Sequence, residues 1–239
     1  MNIITLIIIF LSILVNYIQH TSSKIIKIPK ENKQNEIVTH KVFMDISVDK
    51  LPTKRIHIAL FANSSPELVE NFRLICIGTM NKENTRFIHY KGSRFKRIQR
   101  YSWMEGGDIL DNDLYGVATR EKGFYNYKHD LGHNGIGYVG MRADNETNII
   151  TSMFYFTSRK LTKFDDKNVI IGKILKEDER QWVRNFTRYH GDELGIQEVM
   201  LGHRSHTLPR VVIVDSGELP LDGTETFELN QDYHWKTEL

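Results

Sequence analysis

Cysteine is almost missing. Cys76 is the single thiol in 239 residues, so no intramolecular disulfide is available and the fold must stand on its hydrophobic core. That thiol sits in "VENFRLICIG", on the apolar side of a helical pattern, where a buried and inert side chain is expected. Charge of one sign is also lacking. The formal net charge is only +2, which leaves no concentrated basic face of the kind nucleic-acid binding needs. The densest basic run, "KGSRFKRIQR", reads as a solvated strand rim. Internal repeats are absent. The longest apolar run, Ile3 to Val15 in "IITLIIIFLSILV", falls short of the ~20 residues that a membrane-spanning helix requires.

What is present first concerns compartment. The apolar run followed by "QHTSSK" has the length of a signal-peptide core, so residues 1–23 are expected to be a signal peptide. Because Lys24, Lys27 and Lys30 follow the run and no basic residue precedes it, an uncleaved anchor is the alternative. Three Asn-x-Ser/Thr triplets, at Asn63, Asn145 and Asn185, are candidate glycosylation sites on a chain entering the secretory pathway. The chain ends in "KTEL", one residue away from the Lys-Asp-Glu-Leu address that retains luminal proteins of the endoplasmic reticulum. The expected location is therefore the endoplasmic reticulum lumen or the exterior.

Residues 24–40 are polar and rich in Lys and Asn, a linker by composition. From Lys41 the pattern changes. "KVFMDISVD" and "KRIHIALF" alternate apolar and polar around a Lys50-Leu51-Pro52 turn and predict a hairpin. Ser65-Pro66-Glu67 supplies a helix N-cap, a first-position proline and a first-turn acid, with Leu68, Phe72, Ile75 and Cys76 at helical spacing and Gly78 as the stop. "RFKRI", "GIGYVGM", "MFYFTS", "VIIGKIL" and "RVVIVDSG" read as short strands. A second helix is expected over roughly 178–188, with Trp182, Val183 and Phe186 on one face. Many short strands and two helices suggest a mostly β fold, a closed antiparallel barrel with helices at its ends.

The segments "VFMDISVD…RIHIALFANSSPELVENFRLICIG", "YKGSRFKRI…GGD", "GIGYVGMRAD", "FYFTS", "FDDKNVIIGKI" and "VVIVDSGEL", in this order, resemble a cyclophilin-type peptidyl-prolyl cis-trans isomerase domain. The resemblance spans residues 41–219, leaving 220–239 as a C-terminal tail. It implies an eight-stranded antiparallel closed barrel capped by two α-helices, with the active groove on the outer face. It further implies a monomeric protein that uses no cofactor or metal and binds proline-containing peptides or secretory client proteins.

The same resemblance assigns the site. Arg97 in "FKRI" falls at the catalytic arginine. Counted without gaps, Ser102 replaces a pocket Phe, Trp103 a Met, and Glu105 a Gln that contacts the peptide backbone. Ala143 and Ser152 stand where the family carries an Asn and a second Gln. Phe154 falls at the Phe of the pocket floor, Phe164 replaces a Leu, Asn168 a His, and Lys163 or Thr162 a Trp. Arginine and apolar groups are kept, while several groups that hold the peptide backbone are lost, each worth ~1 kcal/mol. Glu105 is expected to pair with Arg97 and blunt it. The expectation is a prolyl-peptide binding protein with a degenerate isomerase site, weak or inactive, assisting folding or acting as a co-chaperone. An active isomerase using Arg97 is the alternative.

Two metal-like motifs do not hold. "HDLGH", from His129 to His133, needs a helix to put both imidazoles on one face, and Gly132, Gly135 and Gly137 oppose one. "DNDLYG" begins like a calcium loop but places Tyr115 at a ligand position and Lys122 where the bidentate Glu belongs.

Overall fold

β1 (His40–Val48) and β2 (Lys54–Leu60) form the hairpin that their alternation predicts. Val42, Met44 and Ile46 face the core from β1, and Ile56, Ile58 and Leu60 from β2. The computed structural model describes residues 36–49, 51–110, 116–120, 122–125, 127, 130–190 and 210–222. The leader 1–23, the "DNDL" motif, His129 and the "KTEL" tail lie outside the described residues.

Helix α1 (Pro66–Ile77) follows at once, with Pro66 in the first turn and Gly78 at its C-cap. Ser65 holds the N-cap position, but its hydroxyl makes no capping hydrogen bond. Gly78 has φ +83°, and a Cβ there would lie 2.6 Å from the Phe87 ring, so both the backbone turn and the close approach require glycine. A two-strand ladder not expected from the sequence comes next, β3 (Thr79–Met80) with β4 (Phe87–Ile88). Then follow β5 (Arg97–Gln99), β6 (Trp103–Gly106), β7 (Tyr138–Ala143) and β8 (Ile150–Thr157). A 3-10 turn (Thr162–Phe164), β9 (Val169–Ile174), α2 (Glu177–His190) and β10 (Val211–Leu219) complete the described chain.

Eight strands make one antiparallel sheet in the order β10-β1-β2-β9-β7-β8-β6-β5. Its end strands do not pair as a ladder. The chain entering β5 turns at Gly92, which has φ +94°, and offers β10 only a short run. Gly92 N–H donates to Ile213 O (2.7 Å), Ile213 N–H to Ser93 O (3.0 Å) and Phe95 N–H to Val211 O (3.0 Å). In ladder terms the sheet is a half-barrel, and the fully closed barrel expected from the sequence is corrected to that extent.

Helix α1 inserts Leu68, Val69, Phe72, Ile75 and Cys76 into the core, and α2 inserts Val183 and Phe186. The start of α2 is fastened to β2 by Glu179, whose carboxylate accepts from the backbone N–H of His57 and contacts its Nδ1, both at 2.7 Å. Residues 36–39, expected within the polar linker, lie against the domain. Val38 packs with Ala59, Phe61, Leu131, Tyr138 and Ile170, and Tyr138 donates its hydroxyl to Glu36 (3.0 Å).

An aromatic cluster fills the middle of the core. Phe154 is fully buried, with ring centroids 5.4 Å from Phe72, 5.1 Å from Tyr90, 5.5 Å from Phe95 and 5.4 Å from Phe156. Several of these contacts are edge-on, the arrangement that ring quadrupoles favour. Phe154→Ala is expected to cost about 3–5 kcal/mol of folding stability, read from urea unfolding. A loss below about 1 kcal/mol would show that Phe154 is not a core residue.

Candidate functional site

The outer face of the sheet carries a row set by strand register. Arg97 pairs with Glu105, Glu105 with Tyr155, and Tyr155 with Gly140. Residues directly opposite in an antiparallel sheet share a face, so Arg97, Glu105 and Tyr155 lie side by side. Two residues along β6, Trp103 adds to the same face, and two along β7, Arg142.

The polar half of this face is an ionic triplet. Glu105 Oε1 accepts from Arg142 Nη1 at 3.1 Å and from Arg97 Nη1 at 3.4 Å. All three side chains are shielded: Glu105 is 4% exposed, Arg97 9% and Arg142 15%. Burial raises the Glu105 carboxyl pKa, while Arg142 and then Arg97 pull it back down. Burial likewise lowers the Arg97 pKa, with Glu105 opposing and Arg142 reinforcing that shift. A guanidinium stays protonated regardless.

The apolar half is aromatic. Trp103 is buried, and its ring lies 6.2 Å from that of Phe164. Phe164 also meets Tyr155 edge-on at 5.3 Å and His133 at 5.7 Å. His133 is fully buried; its backbone N–H donates to Asp165 Oδ1 at 2.7 Å and its Nδ1 contacts the same oxygen at 2.6 Å. Its Nε2 makes a short hydrogen bond with the Tyr155 hydroxyl, so the imidazole bridges Asp165 and Tyr155. Burial holds that phenol well above its ordinary pKa, so it stays a neutral donor. Gly140 lets Tyr155 lie flat across β7, because a Cβ there would overlap the phenol.

Several expected site residues are therefore together and others are not. Arg97, Trp103, Glu105 and Phe164 share the groove face. Phe154, expected at the pocket floor, points into the core, and Tyr155 takes the floor. The β6–β8 register is the reason: Glu105 pairs with Tyr155 and Gly106 with Phe154, so alternation puts Tyr155 on the Arg97 face and Phe154 on the other. Placing the groove residues one position early along β8 exchanges the two faces. Ser152 is also on the core side, where its hydroxyl donates to Gly107 O and accepts from Val117 N–H (2.9 Å). Ala143 packs into the core, and its N–H donates to Asn168 Oδ1 at 3.1 Å. Asn168 thus braces the end of β7. Lys163 and Thr162 are exposed on the 3-10 turn.

Sequence reasoning missed Arg142, Tyr155 and His133. Arg142 had a signal, a lone charge in the otherwise uncharged strand "YVGMRA". His133 was weighed only as half of a metal pair. Of the sequons, Asn63, Asn145 and Asn185 are all exposed. Beyond Arg142 the groove side opens to a cleft of about 550 Å³ whose walls include Arg86, Arg120, Asp144, Thr147 and Thr151.

Residues 43–214 match the family described as cyclophilin type peptidyl-prolyl cis-trans isomerase. The chain is similar to the peptidyl-prolyl cis-trans isomerase CYP21-1 of Arabidopsis thaliana, 28% identical over 81% of each chain. It is also similar to the rhodopsin-specific peptidyl-prolyl cis-trans isomerase isozyme of Calliphora vicina, 30% identical over 82% of this chain and 75% of the relative. Peptidyl-prolyl cis-trans isomerase CYP22 of Arabidopsis thaliana is 29% identical over 74% of this chain and 83% of its own.

The ionic triplet makes a stability prediction. Glu105→Ala leaves two shielded guanidiniums without their shared anion and is expected to destabilise by about 3 kcal/mol or more. Glu105→Gln keeps an acceptor and removes the charge. Because the folded-state pKa of Glu105 is raised, its contribution is full below about pH 4.3 and declines as pH rises through the folded value. Wild type should therefore lose stability relative to Glu105→Gln between acid and neutral pH. Parallel stability–pH curves for the two proteins would contradict this.

Proposed function

The chain belongs to the cyclophilin-type peptidyl-prolyl cis-trans isomerase family, and from that premise we propose a prolyl-peptide binding protein with little isomerase turnover. Turning an X–Pro bond means crossing a barrier of about 18–20 kcal/mol that amide resonance creates. A protein lowers it by seating the proline ring on an apolar floor and aiming a cation at the prolyl nitrogen, which favours the twisted, deconjugated amide. Both parts have counterparts on the groove face, but each is already engaged within the chain.

The observation that carries the reading is the hold of Glu105 on Arg97. A carboxylate 3.4 Å from the guanidinium opposes the field that Arg97 would apply to a prolyl nitrogen. The aromatic floor points the same way, since Trp103 and Tyr155 are nearly closed to solvent. Peptide binding survives such changes better than catalysis, because catalysis needs interactions that strengthen in the twisted state.

The proposed setting is the secretory pathway, with folding clients or co-chaperone work as the role. It is supported by the apolar leader, the "KTEL" ending and three exposed sequons. Asn145 adjoins Asp144 and Thr147 on the cleft wall, so a glycan there would crowd the groove mouth.

A proline-isomerisation assay compares wild type, Arg97→Ala and Glu105→Gln. The expected result is a near-background rate for wild type and Arg97→Ala, with a roughly tenfold rise for Glu105→Gln, about 1.4 kcal/mol. Robust wild-type activity abolished by Arg97→Ala would establish an active isomerase instead. Imaging the protein in cells with and without its last four residues tests the location; an unchanged luminal pattern would show that "KTEL" is not read.

A further inference from the structure

Glu105 has two cationic partners, Arg142 at 3.1 Å and Arg97 at 3.4 Å. One carboxylate faces two guanidiniums, and both contact the same oxygen, Oε1. The other acids nearby are committed elsewhere. Asp144 accepts through Oδ1 from the N–H groups of Glu146 (3.1 Å) and Thr147 (2.9 Å) and from the Thr147 hydroxyl (2.8 Å). Asp108 is paired with Lys96 at 2.8 Å. Among the described residues the shielded triplet itself carries two cations and one anion, and Arg142 also acts electrostatically on Asp144 at the cleft edge; at this burial the guanidinium field is little screened by water.

The position of that charge is specific. Arg142 lies on the side of the Arg97–Glu105–Tyr155 row that leads to the cleft bordered by Asp144, Arg86 and Arg120. The aromatic cluster of Trp103 and Phe164 lies toward the other end of the groove. A peptide with its proline ring on the aromatic floor would lead its neighbouring residues past Arg142.

We propose that Arg142 makes this groove selective for an acidic side chain, Asp or Glu, within two residues of the proline. The inference rests on the prolyl-peptide binding reading and deepens it. The incoming carboxylate takes the guanidinium edges that Glu105 leaves open, forming a charge-assisted and partly desolvated pair. Arg142 is the selecting residue; Arg97, held closer to the row, faces the proline itself.

The test is fluorescence polarisation with the full chain and four labelled hexapeptides that share one proline. One is flanked by alanines, one carries Asp before the proline, one carries Asp after it, and one carries Lys at the better of those positions. The expected order is Asp over Ala over Lys, with roughly a tenfold preference for one Asp peptide over Ala that shrinks as salt is raised. Arg142→Gln is expected to erase the preference and Arg142→Lys to retain part of it. Thermal melts of both variants exclude misfolding as the cause.

Equal binding of Asp and Ala peptides, or a preference that persists in folded Arg142→Gln, overturns the acidic selectivity and leaves prolyl binding standing. Failure of every peptide to bind overturns prolyl binding, and the selectivity with it.

Discussion

Glu105 keeps almost no water around its carboxylate, and a buried anion is tolerated only where cations and donors replace that water. Arg97 and Arg142 do so from two different strands. This requirement orders the groove face. It fixes the guanidinium of Arg97, it needs Arg142 to reach across from β7, and it needs the sheet register that makes Arg97, Glu105 and Tyr155 neighbours. Removing Glu105 leaves both guanidiniums shielded and without their shared anion.

The aromatic half of the face is organised by a polar chain. Asp165 holds His133, and His133 holds the Tyr155 hydroxyl. Tyr155 could not lie flat over β7 without Gly140 beneath it. The floor is thereby rigid and preorganised, yet largely covered by Trp103 and Phe164. A site can keep the frame of an enzyme while its own side chains occupy the places that substrate groups would take.

On the proposed reading, the same geometry separates binding from turnover. Binding would draw on shape, apolar contact and the Arg142 charge, which the proposed reading leaves available. Turnover draws on a cation free to strengthen its contact as the amide twists. In the structure Glu105 already holds that cation at 3.4 Å, which is why the proposal expects little turnover.

Much of the fold was legible in the sequence. Alternation gave the β1–β2 hairpin, Pro66 and Gly78 bounded α1, and the order of segments from residue 41 to 219 pointed to the family. The contact of Arg97 with Glu105 was also legible, because both sit in a short run that can be counted without gaps. Phe154 and Ser152 were placed on the groove face, whereas the β6–β8 register turns Phe154, and by alternation Ser152, to the core side; a one-residue slip in a strand apolar on both faces leaves no mark in residue types. The sequence alone determined which groups the chain possesses and the period on which each strand presents them. Tertiary structure decided that Arg142 shares Glu105 with Arg97 and that His133 supports Tyr155, because those pairings join residues 37 and 22 positions apart, and only strand register and loop closure bring them into contact.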